Sequence, residues 1–365
     1  MSLYSSIKKA NRYRNIKTKK IKNKLKLFFI YHLYRKRNPQ LEDYYNVCFF
    51  LHSQAIGDSI ITSGLIKKIR QKGKKVFIVA PEKVRFLFSG IIEVDGFYAF
   101  NKHKITSLVK ELKKLHIDLV IDTFDYDPSV MQRLQTLFLL KPQKSLCFDH
   151  PKNTIFDINL VSDDNAHLSN RMMQVLDLLD VNFDLYQYSL SFDSIEFESV
   201  HKYAKKIKEK NKLIIFNPFA SQKSRSLSVE QVYVLLEYLN SLENCKTIIF
   251  NLGCNISTSL FENVELNPFK SAGESFALAS NADIIITVDT AIVHLASAFN
   301  IKQYCIYNNR LNNWKQNNNI MFGPNSKNAV QLTTTEYLNT EVGDDMSKFD
   351  MSLLIDKLND DLKGS

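Results

Sequence analysis

The stretch Ala282-Asp-Ile-Ile-Ile-Thr-Val-Asp-Thr-Ala-Ile-Val-His-Leu-Ala-Ser-Ala298 decides the fold. Residues 283–287 have the composition of a short buried strand, a polar turn follows, and Ile292, Leu295, Ala296 and Phe299 then recur at helical spacing. Asp289 and Thr290 are residue types that cap helix N-termini. Strand, tight turn and helix in this order form the unit of open α/β sheets, whose ligands sit at the carboxyl ends of the strands. The helix N-terminus supplies unpaired N–H groups and a positive dipole end, which suits a phosphate. His294 follows Thr290 by four residues, on the face that the turn presents.

Around this unit the chain repeats the same logic. A strand is expected at 47–51, then the turn Ser53-Gln-Ala-Ile-Gly-Asp-Ser59 and a helix with Ile60, Ile61, Leu65, Ile66 and Ile69 inward. Strand 76–79, helix 81–88, strand 97–100, helix 105–115, strand 117–122 and helices 126–140 and 171–179 follow. A loop or strand and a basic helix at 201–210 lead into the second half. There strand 213–216 meets the turn 217–226, and a helix starts at its cap Ser228. Strand 247–251, helix 275–279, the opening unit, strand 303–307, an asparagine-rich loop around Trp314 and a helix at 351–362 complete the chain. Alternation of this kind predicts parallel sheets with helices on both faces. The expected organisation is a basic extension (1–43), two α/β domains (44–195 and 196–345) and a C-terminal helix (346–365), with a cleft between the two sheet edges.

With 365 residues there is room for two domains with separate cores. The net charge of +10 is unevenly placed: residues 1–38 hold 13 Lys and Arg and no acid, so the other 327 residues sum to −3. Between 21 and 34, Ile21, Leu25, Leu27, Phe28, Phe29, Ile30, Leu33 and Tyr34 interleave with lysines. This run is too short to span a bilayer. It suits an anionic membrane surface or a helix packed on the body with a solvated lysine face, and the membrane surface is favoured over nucleic acid. The five cysteines form no C-x-x-C pair, and no apolar core precedes a cleavage site, which fits a reduced, cytosolic compartment.

Neither G-x-x-x-x-G-K-[ST] nor G-x-G-x-x-G occurs, so any bound phosphate must be held by helix ends and cations. Nor is there an H-E-x-x-H, a retaining-glycosidase acid pair or a serine elbow; no metal or cofactor is called for. Three places remain. Gly57 permits close backbone approach, and Asp58 at the start of a helix is either a helix cap or a general base. Ser221, Lys223 and Arg225 lie on a strand-to-helix loop, either a solvated turn or an anion site. Asp289, Thr290, Ala291 and His294 form the third; a lone histidine is otherwise a satisfied, partly buried one.

These three places line up with one family. Ala55-Ile-Gly-Asp-Ser-Ile-Ile-Thr-Ser-Gly-Leu65 resembles the L-G-D-x-x-x-T-x-P-x-L turn of the lipopolysaccharide heptosyltransferases, glycosyltransferase family 9. Asn217-Pro-Phe-Ala-Ser221 with Lys223, Arg225, Leu227 and Ser228 resembles their N-P-G-A-S…K-x-W-P loop, and 282–296 resembles their A-D-x-x-V-x-x-D-T-G-x-x-H-x-A turn. The resemblance covers roughly residues 45–310. It implies the GT-B architecture of two facing Rossmann-like domains and inverting transfer of heptose from an ADP-linked donor to a lipid A–core acceptor. It also implies Asp58 as base, Arg225 or Lys223 on the phosphates, and Asp289, Thr290 and His294 on the donor turn. The enzyme would work in the cytoplasm, peripheral at the inner face of the membrane. Ala291 stands in the place of the family's glycine, Phe219 in that of another, Leu227-Ser228 in that of Trp-Pro, and no acid lies near 251–255. A different donor or a non-lipid acceptor, or a GT-B binding protein without catalysis, therefore stays open.

Overall fold

A computed structural model describes residues 44–51, 55–123, 130–150, 154–163, 165–311, 316–338 and 340–363, and six positions of the extension: Thr18, Leu25, Phe28–Ile30 and Leu33. The first half carries β1 (Asn46–Phe50), α1 (Ile56–Gln71), β2 (Lys75–Ala80), β3 (Gly96–Ala99), α2 (Ile105–Lys113), β4 (Leu119–Ile121), α3 (Val130–Leu140), β5 (Lys144–Phe148) and β6 (Ile158–Leu160). Its six strands lie in the order β3-β2-β1-β4-β5-β6, all parallel. After α4 (Ser169–Leu178) and α5 (Glu198–Lys208) come β7 (Lys212–Asn217), α6 (Val229–Asn240), β8 (Cys245–Ile249), β9 (Val264–Leu266), α7 (Ala272–Ser280) and β10 (Ile284–Val288). Then follow α8 (Ala291–Ala298), β11 (Lys302–Tyr307), α9 (Asn318–Met321), β12 (Ala329–Thr333) and α10 (Met351–Lys363). The second sheet runs β12-β11-β10-β7-β8-β9, again all parallel.

Counted within its own half, each sheet has the order 3-2-1-4-5-6 of doubly wound folds. The order reverses between β1 and β4 in one sheet and between β7 and β10 in the other. Ligands of such sheets bind at that reversal, beyond the carboxyl ends of the strands. The first turn of α1 after β1 holds Asp58, and the turns that end β7 and β10 hold Ser221–Ser226 and Asp289–Thr290, so all three motif stretches fall there.

Burial explains the strand composition. Every residue of β10 is buried, as are all but the first of β7, because helices cover both faces of a parallel sheet. The core under the second sheet gathers Ile214, Phe216, Ile284, Ile286 and Tyr304 with Val232, Leu235 and Leu236 of α6 and Leu354 and Leu358 of α10. Under the first sheet, Cys48, Phe50, Val79 and Val120 meet Leu108 and Leu112 of α2 and Leu134 and Leu137 of α3. Ile30 joins this second cluster, whereas Leu25, Phe28, Phe29 and Leu33 are exposed. By contacts the chain forms two interleaved compact units: one takes residues up to 54 with 69–85 and 94–162, the other 55–68, 86–93 and 163–365.

Several elements differ from expectation. The helix expected at 81–88 is a 3-10 turn (Glu82–Val84) and a π turn (Leu87–Ile91), broken where the chain passes from one unit to the other. The π turn widens the spiral and buries Leu87, Phe88 and Ile91 together. Strands β5, β6, β9 and β12 were not expected; β6 and β9 have only three residues, and all four pair in parallel with a neighbouring strand. The start of the helix expected at 126–140, most of the 21–34 segment and Trp314 lie outside the described residues. No described helix is long and apolar enough to cross a membrane.

Candidate functional site

The turn after β10 divides its two polar residues between two tasks. Thr290 is the N-cap of α8, its backbone extended and its hydroxyl accepting from the Ile292 N–H at 3.3 Å. Asn217, at the end of β7 and in register with Thr287, donates through Nδ2 to the hydroxyls of Thr287 and Thr290, both at 2.9 Å. Asp289 does not cap. Its carboxylate, 6% exposed, accepts from Asn318 Nδ2 at 2.6 Å and pairs with Arg225 Nη1 at 3.1 Å. A carboxylate so far from water needs such partners.

Arg225 therefore has a definite place. Nη1 also donates to the Asp289 carbonyl at 3.0 Å, and Nη2 to Ser221 Oγ at 3.4 Å, so the guanidinium ties the loop after β7 to the turn after β10. Its Nε is buried without a partner. Arg310, just past β11, comes close to it: Nη1 donates to Gln222 at 2.8 Å, and Nε is again buried and unpartnered. Burial first, and then the charge of Arg225, lower the pKa of Arg310. Arg225 pairs with the Asp289 carboxylate and Arg310 lies within electrostatic reach of both, with Lys223 and Ser221 exposed beside them. This edge is electropositive and incompletely bonded, as an anion site is.

The loops behind it are held firmly. Asn308 donates to the carbonyls of Ser224, Val342 and Asp344. The Asp344 carboxylate, whose burial alone would raise its pKa, is held below the usual range by the Leu338 N–H, Thr334, Asn309 and the Tyr337 N–H. A cavity of about 530 Å³ opens beside this loop, lined among others by Lys223, Ser226, Leu227, Val342 and Met346.

Asp58 is the third residue of α1 and half-buried. It stands where the acid of a capping box stands: its carboxylate accepts from the Ala55 N–H at 3.3 Å, near the positive end of the helix dipole. Gly57, expected to let backbone approach a ligand, lies against protein instead. A Cβ there would meet His294 Cδ2 at 2.9 Å and the Ala291 Cα at 3.7 Å. The start of α1 therefore packs against the first residues of α8.

His294 is 4% exposed, with ring neighbours Tyr188 and His167 at 6.1 and 6.5 Å between centroids. Desolvation, and next the proximity of His167, push its pKa down to about 3, so the ring is neutral near pH 7. His167 accepts from the Ser169 N–H at Nδ1 (3.0 Å), which leaves Nε2–H to donate to the Gly323 carbonyl (3.0 Å). Sequence reasoning singled out neither His167, Tyr188, Arg310 nor Asn318. None lies in a motif, and each reaches the site from a distant segment.

No protein-family model matches the chain. A curated relative, "Putative lipopolysaccharide heptosyltransferase 4" of Escherichia coli (strain K12), is 26% identical over 331 residues, covering 86% of this chain and 90% of that one. A solved glycosyl transferase family 9 structure from Veillonella parvula DSM 2008 superimposes with a TM-score of 0.67 at 16% identity, over 88% of this chain and 98% of that one. The chain has the fold of glycosyltransferase family 9. An ADP-heptose lipopolysaccharide heptosyltransferase II of E. coli gives a TM-score of 0.66 at 13% identity, over 87% and 99% of the two chains. In sequence and in fold, then, the chain is similar to the heptosyltransferases that its three motif stretches resemble.

Proposed function

We propose that the chain is an inverting glycosyltransferase that moves a heptose from ADP-heptose to a lipopolysaccharide core acceptor. One observation carries this reading: Gly57 packs against His294 and Ala291 of α8, the helix that opens directly after Asp289–Thr290, and Arg225 fastens the Ser221–Ser226 loop to that turn. The start of the helix that carries Asp58 thereby lies against the start of α8. Asp58 takes the proton of an acceptor hydroxyl, the oxygen attacks the anomeric carbon, and the bond to the diphosphate breaks on the opposite side. One base and one displacement invert that centre. The charge that develops on the leaving diphosphate meets the α8 N-terminus, with Thr290 and Ala291, and the cations Lys223, Arg225 and Arg310, with Ser221 beside them. These groups are in place before the reaction, which is what makes such stabilisation effective.

The acceptor is a lipid-linked saccharide, and the extension would bring the enzyme to it at the cytoplasmic face of the membrane. In support, residues 1–38 hold 13 cations and no acid, and Leu25, Phe28, Phe29 and Leu33 are exposed while Ile30 is buried.

The test is ADP release from ADP-heptose in the presence of heptose-deficient lipopolysaccharide. Wild type should release ADP only with acceptor present. Asp58→Asn should lose at least about 100-fold in turnover while binding ADP as wild type does. Equal loss of turnover and ADP affinity would make Asp58 structural. Turnover with another nucleotide sugar and none with ADP-heptose would replace the donor.

A further inference from the structure

We propose that His294 is a positioning residue, the seat on which the Gly57–Asp58 turn rests, and that it sets where the Asp58 carboxylate stands without touching the sugar donor. The inference rests on the transferase reading above and goes beyond it.

The contact leaves no slack. A Cβ on Gly57 would sit 2.9 Å from Cδ2 of His294, closer than side chains tolerate, and 3.4 Å from Nε2. Only glycine lets α1 come down onto the edge of the ring. The ring cannot retreat, because Tyr188 and His167 stand against it and His167 is held at both nitrogens. His294 Nδ1 is buried and makes no hydrogen bond, so the ring is held by packing.

The helix that carries Asp58 is clamped from the same direction. Tyr186 donates its hydroxyl to the Ile61 carbonyl and accepts from the Leu65 N–H at 3.0 Å. Ser189 N–H donates to Ser63 Oγ at 2.8 Å, and a Cβ on Gly64 would strike the Gln187 carbonyl. Segment 186–189 thus grips α1 through Tyr186, Gln187 and Ser189 and presses Tyr188 on His294. Seat and clamp together hold the first two turns of α1. A neutral seat has a further use: a cation beside a carboxylate lowers its basicity, and the buried imidazole supplies shape without charge.

A size-exchange cycle tests this. Gly57→Ala should collide with the ring and His294→Ala should remove the seat. Each should lower kcat about 10- to 100-fold, as a displacement near 1 Å does, with donor KM and the Kd for ADP within about twofold of wild type. In the double variant the new methyl occupies space vacated by the imidazole, so kcat should rise above that of either single variant. Weakened ADP binding by His294→Ala with kcat intact at saturating donor would make His294 a donor ligand and overturn the inference, as would additive losses in the double variant. Should His294→Ala not fold, Gly57→Ala alone decides by its split between kcat and ADP affinity. Hydrogen exchange separates this inference from the reaction on which it rests: amides 55–62 should exchange faster in His294→Ala whatever the activity. Unchanged exchange removes the seat. Faster exchange in a protein whose wild type shows no transfer removes the transferase reading alone.

Discussion

At the scale of residues, the site is organised by unequal numbers of charges. Asp289 alone faces Arg225, and Arg310 stands near enough to be repelled by Arg225. The two arginines should therefore respond differently to removal. Arg225→Ala leaves Asp289 buried with only Asn318, and should cost about 2–3 kcal/mol of stability as well as weakening ADP binding. Arg310→Ala relieves a like-charge contact, so it should leave the melting temperature nearly unchanged while lowering ADP affinity about tenfold. Calorimetry and titration with ADP check both. Equal destabilisation by the two substitutions would show Arg310 to be structural, and unchanged ADP affinity in Arg225→Ala would pass the phosphate contact to Lys223.

At the scale of elements, α8 is the piece on which the turns converge. Its first residues cap one side of the site, and its His294 packs against Gly57 on one face and His167 and Tyr188 on others. Both imidazoles are kept neutral by burial, their pKa values lowered from the ordinary 6.5. The sign follows directly. Below pH 6.5 the unfolded chain takes up protons that the folded one refuses, so stability is full above that pH and falls as pH drops toward 3. For His294 the slope reaches about 1.4 kcal/mol per pH unit. Denaturation midpoints from pH 7.5 to 4.5 should decline more steeply in wild type than in His294→Leu, which cannot titrate. Parallel declines would mean that the ring is protonated in the fold.

The elements also divide by how far they could be read along the chain. Strands β7 and β10 were legible because both faces are buried, so that four apolar residues run together in β7 and three in β10 before Thr287 and Val288. Helix α6 was legible from its cap, and Ser228 does form a full capping box with Gln231. Strands β6 and β9, of three residues each, carry no pattern; pairing with β5 and β8 makes them strands. The residues around Asp289 divide likewise. Thr290 was legible as a cap because a cap bonds within two or three residues. The partners of Asp289 were not, since they lie 64 positions before it and 29 after it in the chain.

At the scale of the whole molecule, charge and fold are separate matters. The body of 327 residues carries −3 and the first 38 carry +13, so the basicity belongs to one segment. Removing residues 1–38 should reduce binding to phosphatidylserine vesicles about tenfold or more and leave ADP affinity unchanged. Undiminished sedimentation with those vesicles would remove the membrane role of the extension.

The sequence by itself determined the two parallel sheets, the strand–turn–helix units and the three polar turns, because hydrophobic period, caps and turn residues act over a few neighbouring positions. It also placed those turns at strand ends, where doubly wound sheets bind ligands. Only the tertiary structure decided what each polar residue does there. Packing brought Gly57 onto His294, spent the charge of Asp289 on Arg225 and Asn318, and set Arg310 beside Arg225. The reason is physical: a buried polar group is defined by the partners that desolvation forces on it, and those partners come from parts of the chain that local pattern does not connect.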